Sequence, residues 1–146
     1  MLNRVALLKV GLIIFLFNPF TAAASDFKGA RELFANIDTK DAFMVAQITH
    51  RCAGLFGAAT RFMPQGNKKG TADISSKFLE KTFFLLIRGR EGAEEKIGEK
   101  LLKDSRYYIS VYEKQMDLSQ RNTGTIFSDW VGAEMDFCTL FAKKVF

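Results

Sequence analysis

Cys52 and Cys138 are the only cysteines of this chain, and each falls in the middle of an apolar stripe. Val45, Ile48, Cys52, Leu55, Phe56, Ala59 and Phe62 recur at three- and four-residue steps, as on one face of a helix. Phe127, Trp130, Val131, Phe137, Cys138 and Phe141 do the same near the C-terminus. Two inward-facing cysteines on different helices are what a disulfide across a bundle requires, provided the helices are direct neighbours. The bridge would close a loop with a sequence separation of 86.

Whether the thiols oxidise depends on the compartment, and the first 24 residues address that. Arg4 and Lys9 form a basic start, Val10–Phe17 an apolar core, and Asn18-Pro19 a break. Thr21-Ala22-Ala23-Ala24 then supplies a small-residue cleavage site. This three-part layout reads as a signal peptide cleaved after Ala24, with an uncleaved anchor as the alternative. The apolar core is far shorter than the roughly 20 residues of a spanning helix. Residues 25–146 remain as a single mature domain of 122 residues in the periplasm or outside the cell. The leader carries two of the 21 basic residues and none of the 16 acidic ones, so the formal charge falls from +5 to +3. So small an excess gives no support for a nucleic-acid partner and allows at most peripheral contact with a membrane. A lipoprotein is disfavoured, because the first cysteine is Cys52.

Pro64 is the only proline after the leader, and helix formers dominate. The pattern predicts an all-α, single-domain bundle of about four main helices plus a short N-terminal one, stapled by Cys52–Cys138. The leading helix is placed at Ser25–Ile37 with Asp26 as its cap, and the second from Thr39 or Asp41 to Met63. Beside the apolar stripe of the second helix, Ala46, His50, Ala53 and Gly57 form a row that invites close approach by another helix. Pro64–Thr71 reads as a basic loop. A third helix is expected from Asp73 to Arg88, and Gly89 and Gly92 break the chain. A fourth runs from the acidic turn at Glu94 to Leu118, followed by a turn at Gln120–Gly124. The last extends from Ile126 to Lys144 with Thr125 as its cap.

The chemistry-bearing residues give no constellation. His50 is the single histidine, and an acid–base or nucleophilic role needs a partner in hydrogen-bond reach. It reads as a histidine between helices or at the surface. Cys52 and Cys138 are committed to each other, so no metal or redox site is expected. The acidic groups Glu94, Glu95, Glu99 and Asp129, Glu134, Asp136 read as solvated faces or helix-dipole partners. The segment Gly66–Thr71 lacks the spacing and the preceding strand of a phosphate loop. No catalytic residue, metal ligand or cofactor is assigned. Lys68, Lys69, Arg88 and Arg90 are candidates for a basic patch facing an acidic partner, and Trp130 for an interface anchor.

In size, export and cysteine usage the chain is similar to small periplasmic helical proteins such as acid-stress chaperones and secretion-system immunity proteins. No residue motif carries that likeness, so no residue role follows from it. The expectation is an exported, non-enzymatic interaction protein acting on another envelope or secreted protein, such as an inhibitor, immunity or chaperone-like factor. The runner-up is a bundle that binds an apolar small ligand in a Phe-lined cavity.

Overall fold

Asp41 opens the central helix. Its carboxylate accepts the N–H groups of Phe43 and Met44 at 2.8 and 3.4 Å, which satisfies donors that the first turn leaves free. The computed structural model describes residues 27–35 and 40–146. Five helices follow in order: α1 (Ala30–Phe34), α2 (Ala42–Phe62), α3 (Gln65–Ile87), α4 (Glu94–Thr123) and α5 (Asp129–Val145). The expected all-α bundle is present, with four main helices and a short leading one. The leader, Asp26 and residues 36–39 lie outside the described residues. Among the described residues no helix is long and apolar enough to cross a membrane.

α2 is buried along most of its length and touches every other helix. The small row works as expected. Ala46 and Ala53 are buried, and Ser75 of α3 donates to the Ala53 carbonyl at 2.8 Å. Thr49 and Thr82 meet hydroxyl to hydroxyl at 2.8 Å across the α2–α3 contact. On the α4 side, a Cβ at Gly54 would lie 2.6 Å from Tyr108 Cβ and 3.3 Å from its backbone carbon. Helix backbone cannot yield there as a flexible side-chain end can. Gly54→Ala is therefore expected to cost about 1–3 kcal/mol despite alanine's better helix propensity, read as a lower urea midpoint. A stabilised variant would show that α2 and α4 can part without loss.

α5 crosses back to α2, and Cys52–Cys138 joins them with a Cα–Cα distance of 5.5 Å. The two helices are direct neighbours, as the disulfide demands.

Four boundaries differ from the sequence reading. The leading helix begins only at Ala30 and ends at Phe34, because Phe27–Gly29 run outside any helix to reach the ring cluster. Residues 65–71 are helix, not loop. Pro64 sits at the N-cap with φ −55°, and its carbonyl accepts from Asn67 and Lys68 at 2.9 and 3.2 Å. A proline at a helix start loses nothing, since its missing N–H has no intrahelical partner there. α3 then extends outward from its docked part, because adding a turn to a formed helix is cheap. α4 continues past Leu118 to Thr123 and stops where Gly124 turns left-handed at φ 75°. α5 is capped by Ser128, which accepts the Val131 N–H at 3.2 Å; Thr125 instead accepts from Phe127.

Candidate functional site

Glu134 is the least expected residue of the core. It projects from α5 among apolar neighbours and is 0% exposed. A buried carboxylate is costly without partners, and its partners come from the N-terminal segment. The Arg31 N–H donates to both carboxylate oxygens at 3.3 and 3.4 Å, and the Ala30 N–H also bonds to it. Tyr112 of α4 donates its hydroxyl to Oε2 at 3.3 Å. The Arg31 Nε lies 3.9 Å from Oε1. α1 has no cap of its own at Gly29, so Glu134 serves as its cap from across the fold. Burial raises the Glu134 pKa above the ordinary carboxylate value, and the donors from Arg31, Ala30 and Tyr112 pull against that rise. The Tyr112 hydroxyl is pushed far up by burial and by the adjacent carboxylate.

Glu134→Ala removes the acceptor and leaves three donors unmet, an expected loss of about 2–4 kcal/mol in urea unfolding. Glu134→Gln keeps an acceptor and removes the buried charge, so it should stay within about 1 kcal/mol of wild type at neutral pH. Equal losses for the two variants would show that the carboxylate does not cap α1.

A second anchor lies beside the first. Arg51 of α2 donates its Nε to the Lys28 carbonyl at 3.2 Å. Its guanidinium lies over the Tyr108 ring at 3.9 Å and near Phe27 at 5.4 Å, a cation–π arrangement. The Nη1 atom is buried and has no hydrogen-bond partner among the described residues. Phe27 fits edge-on against Tyr112 at 5.3 Å between ring centroids, with Tyr108 at 6.0 Å and Trp130 at 6.4 Å. Tyr107 flanks the group at 6.3 Å and is 56% exposed. Further along, Phe34 packs on Phe137 and Phe141 of α5. Residues 27–34 thus lie in a cleft between α2, α4 and α5, held by main-chain bonds at two points and by ring contacts at both ends.

His50 closes one side of this region. It is 3% exposed, bonds through Nε2 to Ser105 Oγ at 2.8 Å and stands edge-on to Tyr108 at 4.6 Å. Burial lowers its pKa to about 4; the Arg51 charge adds to this, and Asp104 opposes it. Ser105 is committed as well, donating to the Leu101 carbonyl at 2.7 Å. The ring is a neutral bridge between α2 and α4.

The basic candidates separate. Lys68 and Lys69 lie in the first turns of α3, while Arg88 and Arg90 lie just past its other end. A continuous helix of 23 residues holds them about 30 Å apart, so they do not form one patch. Trp130 is half-buried and stacks on Tyr112 at 5.5 Å, which places it at the cleft. An open groove of about 380 Å³ runs along α4 where Arg61 pairs with Glu113 at 3.5 Å and Asp117 at 3.9 Å. Arg61, Glu113, Lys114, Asp117 and Arg121 line it together with Ser110 and Leu118. Glu134, Arg51 and Tyr112 were not singled out from the sequence. The signal for Glu134 was its register, since Val131, Glu134, Cys138 and Phe141 follow one another on a single apolar stripe.

No family model, curated protein or solved structure matches this chain.

Proposed function

We propose that the chain is exported on a leader removed after Ala24 and works in the periplasm or outside the cell as a non-enzymatic binding protein of the inhibitor, immunity or chaperone-like kind. The observation that supports this reading most is the cleft that grips residues 27–34 by their main chain and by aromatic contacts. Such a grip is the chemistry of polypeptide recognition rather than of bond making. His50 fits the same reading, because its imidazole is enclosed and held neutral, and its partner Ser105 is itself committed to the Leu101 carbonyl.

Two measurements test the reading. Intact mass of protein recovered from the envelope or medium should begin at Ser25; a retained Met1 overturns the cleaved leader. Lysine-directed cross-linking on intact cells should join the chain to one discrete partner. Monomer alone across cross-linker concentrations overturns the binding role.

A further inference from the structure

Only Ser25 and Asp26 separate the expected cleavage point after Ala24 from Phe27, the first residue of the segment held in the cleft. Three residues span at most about 11 Å of extended chain, so the scissile bond lies within that reach of Phe27. The hold on the residues that follow is continuous. Phe27 packs edge-on against Tyr112 at 5.3 Å and beside Trp130 at 6.4 Å. The Lys28 carbonyl takes the Arg51 Nε–H at 3.2 Å. A Cβ on Gly29 would overlap the Glu134 carboxylate, so main chain and carboxylate are in direct contact there. Ala30 is 0% exposed, and the Arg31 N–H bonds to both Glu134 oxygens.

A peptidase takes in several residues on each side of the bond it cuts, and a folded segment must open before it can enter. Phe27 is the third residue on the mature side of that bond. Freeing it and its neighbours means parting the ring contacts, the Arg51 bond and the Glu134 bonds.

We propose that docking of residues 27–34 shuts the leader cleavage site. The leader is removed while this segment is still free, and a chain that closes first keeps its leader. The step is hydrolysis: water adds across the Ala24–Ser25 amide, leaving a carboxylate on the leader and an amine on Ser25. The inference rests on the cleaved-leader reading above and adds its timing. The lock comes from far along the chain, because Arg51 belongs to α2 and Glu134 to α5.

The experiment adds a signal peptidase in detergent micelles to the full-length precursor, made by cell-free synthesis and refolded with its disulfide formed. A synthetic peptide of residues 1–34 is the unfolded reference, and mass spectrometry follows the product that begins at Ser25. The folded wild-type precursor should be cut at least about tenfold more slowly than the peptide. Glu134→Ala and Arg51→Met each loosen the hold from outside the cleavage motif, and each should be cut at least about fivefold faster than wild type. Should Glu134→Ala show no cooperative urea transition, Arg51→Met carries the comparison. Phe78→Leu weakens the stack on Phe56 and leaves the named contacts of residues 27–34 in place, so its precursor should be cut at the wild-type rate.

A folded wild-type precursor cut as fast as the peptide overturns the inference and leaves the leader reading standing. So does a folded Arg51→Met precursor no faster than wild type. Phe78→Leu cut as fast as the Arg51 variant traces access to global unfolding and overturns the inference as well. A peptide that is not cut after Ala24 removes the leader reading and the inference with it.

Discussion

Protein carrying Cys52→Ala and Cys138→Ala together is expected to lose about 4 kcal/mol of unfolding free energy. The bridge spans a separation of 86 residues, and closing a loop of that size takes a large share of conformational freedom from the unfolded chain. Both cysteines are 0% exposed, so alanine leaves a small void as well. A domain of this length has about 5–15 kcal/mol in total, so the variant should sit close to its unfolding threshold at 37 °C. The measurement is the urea midpoint of wild type, reduced wild type and the double variant. A loss under about 1 kcal/mol would mean that the unfolded chain is already restricted around this pair.

Acid should weaken the protein through His50. Its folded pKa is about 4 against the ordinary value of 6.5, so between these values the unfolded chain takes up a proton that the folded one refuses. Stability from this group is fully present above the unfolded pKa and drains away as pH falls toward 4, by roughly 3 kcal/mol in all. Glu134 acts in the opposite sense. Its folded pKa is raised, so its contribution is greatest in acid and is lost as pH rises through the folded value. The wild-type curve between pH 7 and 4 is the difference of the two. His50→Gln, which can still bond Ser105, removes the acid-labile part and should reverse the slope, while Glu134→Gln should steepen the wild-type loss. Urea midpoints at half-unit pH steps decide it. An unchanged slope in His50→Gln would show that the imidazole is solvated in the folded chain.

What the sequence conveyed depended on whether the signal was local. The α2 stripe and the Gly89–Gly92 break were legible, and the start of α2 was narrowed to Thr39 or Asp41, because each rests on neighbours a few residues apart. The cysteine contact was legible because two stripes each placed a thiol inward. The start of α3 was not, since Gly66, Asn67 and Gly70 argue for a turn and only the docked helix downstream carries the backbone through them. The cleft was the hardest to see. Glu134 looked like part of an acidic surface with Asp129 and Asp136, although its register matched Val131 and Cys138. Its partners lie 103 residues away, where no pattern in a single stretch of chain connects a carboxylate with the open N–H groups of Ala30 and Arg31. Lys68, Lys69, Arg88 and Arg90 failed as a patch for the complementary reason. Their closeness assumed a loop where the chain forms a rod.

α5 follows the other described helices in the chain, and it carries both Glu134 and Cys138. A growing chain that has not yet released α5 from the ribosome has no partner for Cys52 and no cap for α1. Two of its most distant closures wait on this one helix, and such late, non-local contacts slow folding. Under the export proposed above, this order of synthesis has a use. The polypeptide stays threadable until α5 has been delivered, and that helix then locks α1 and α2 in place.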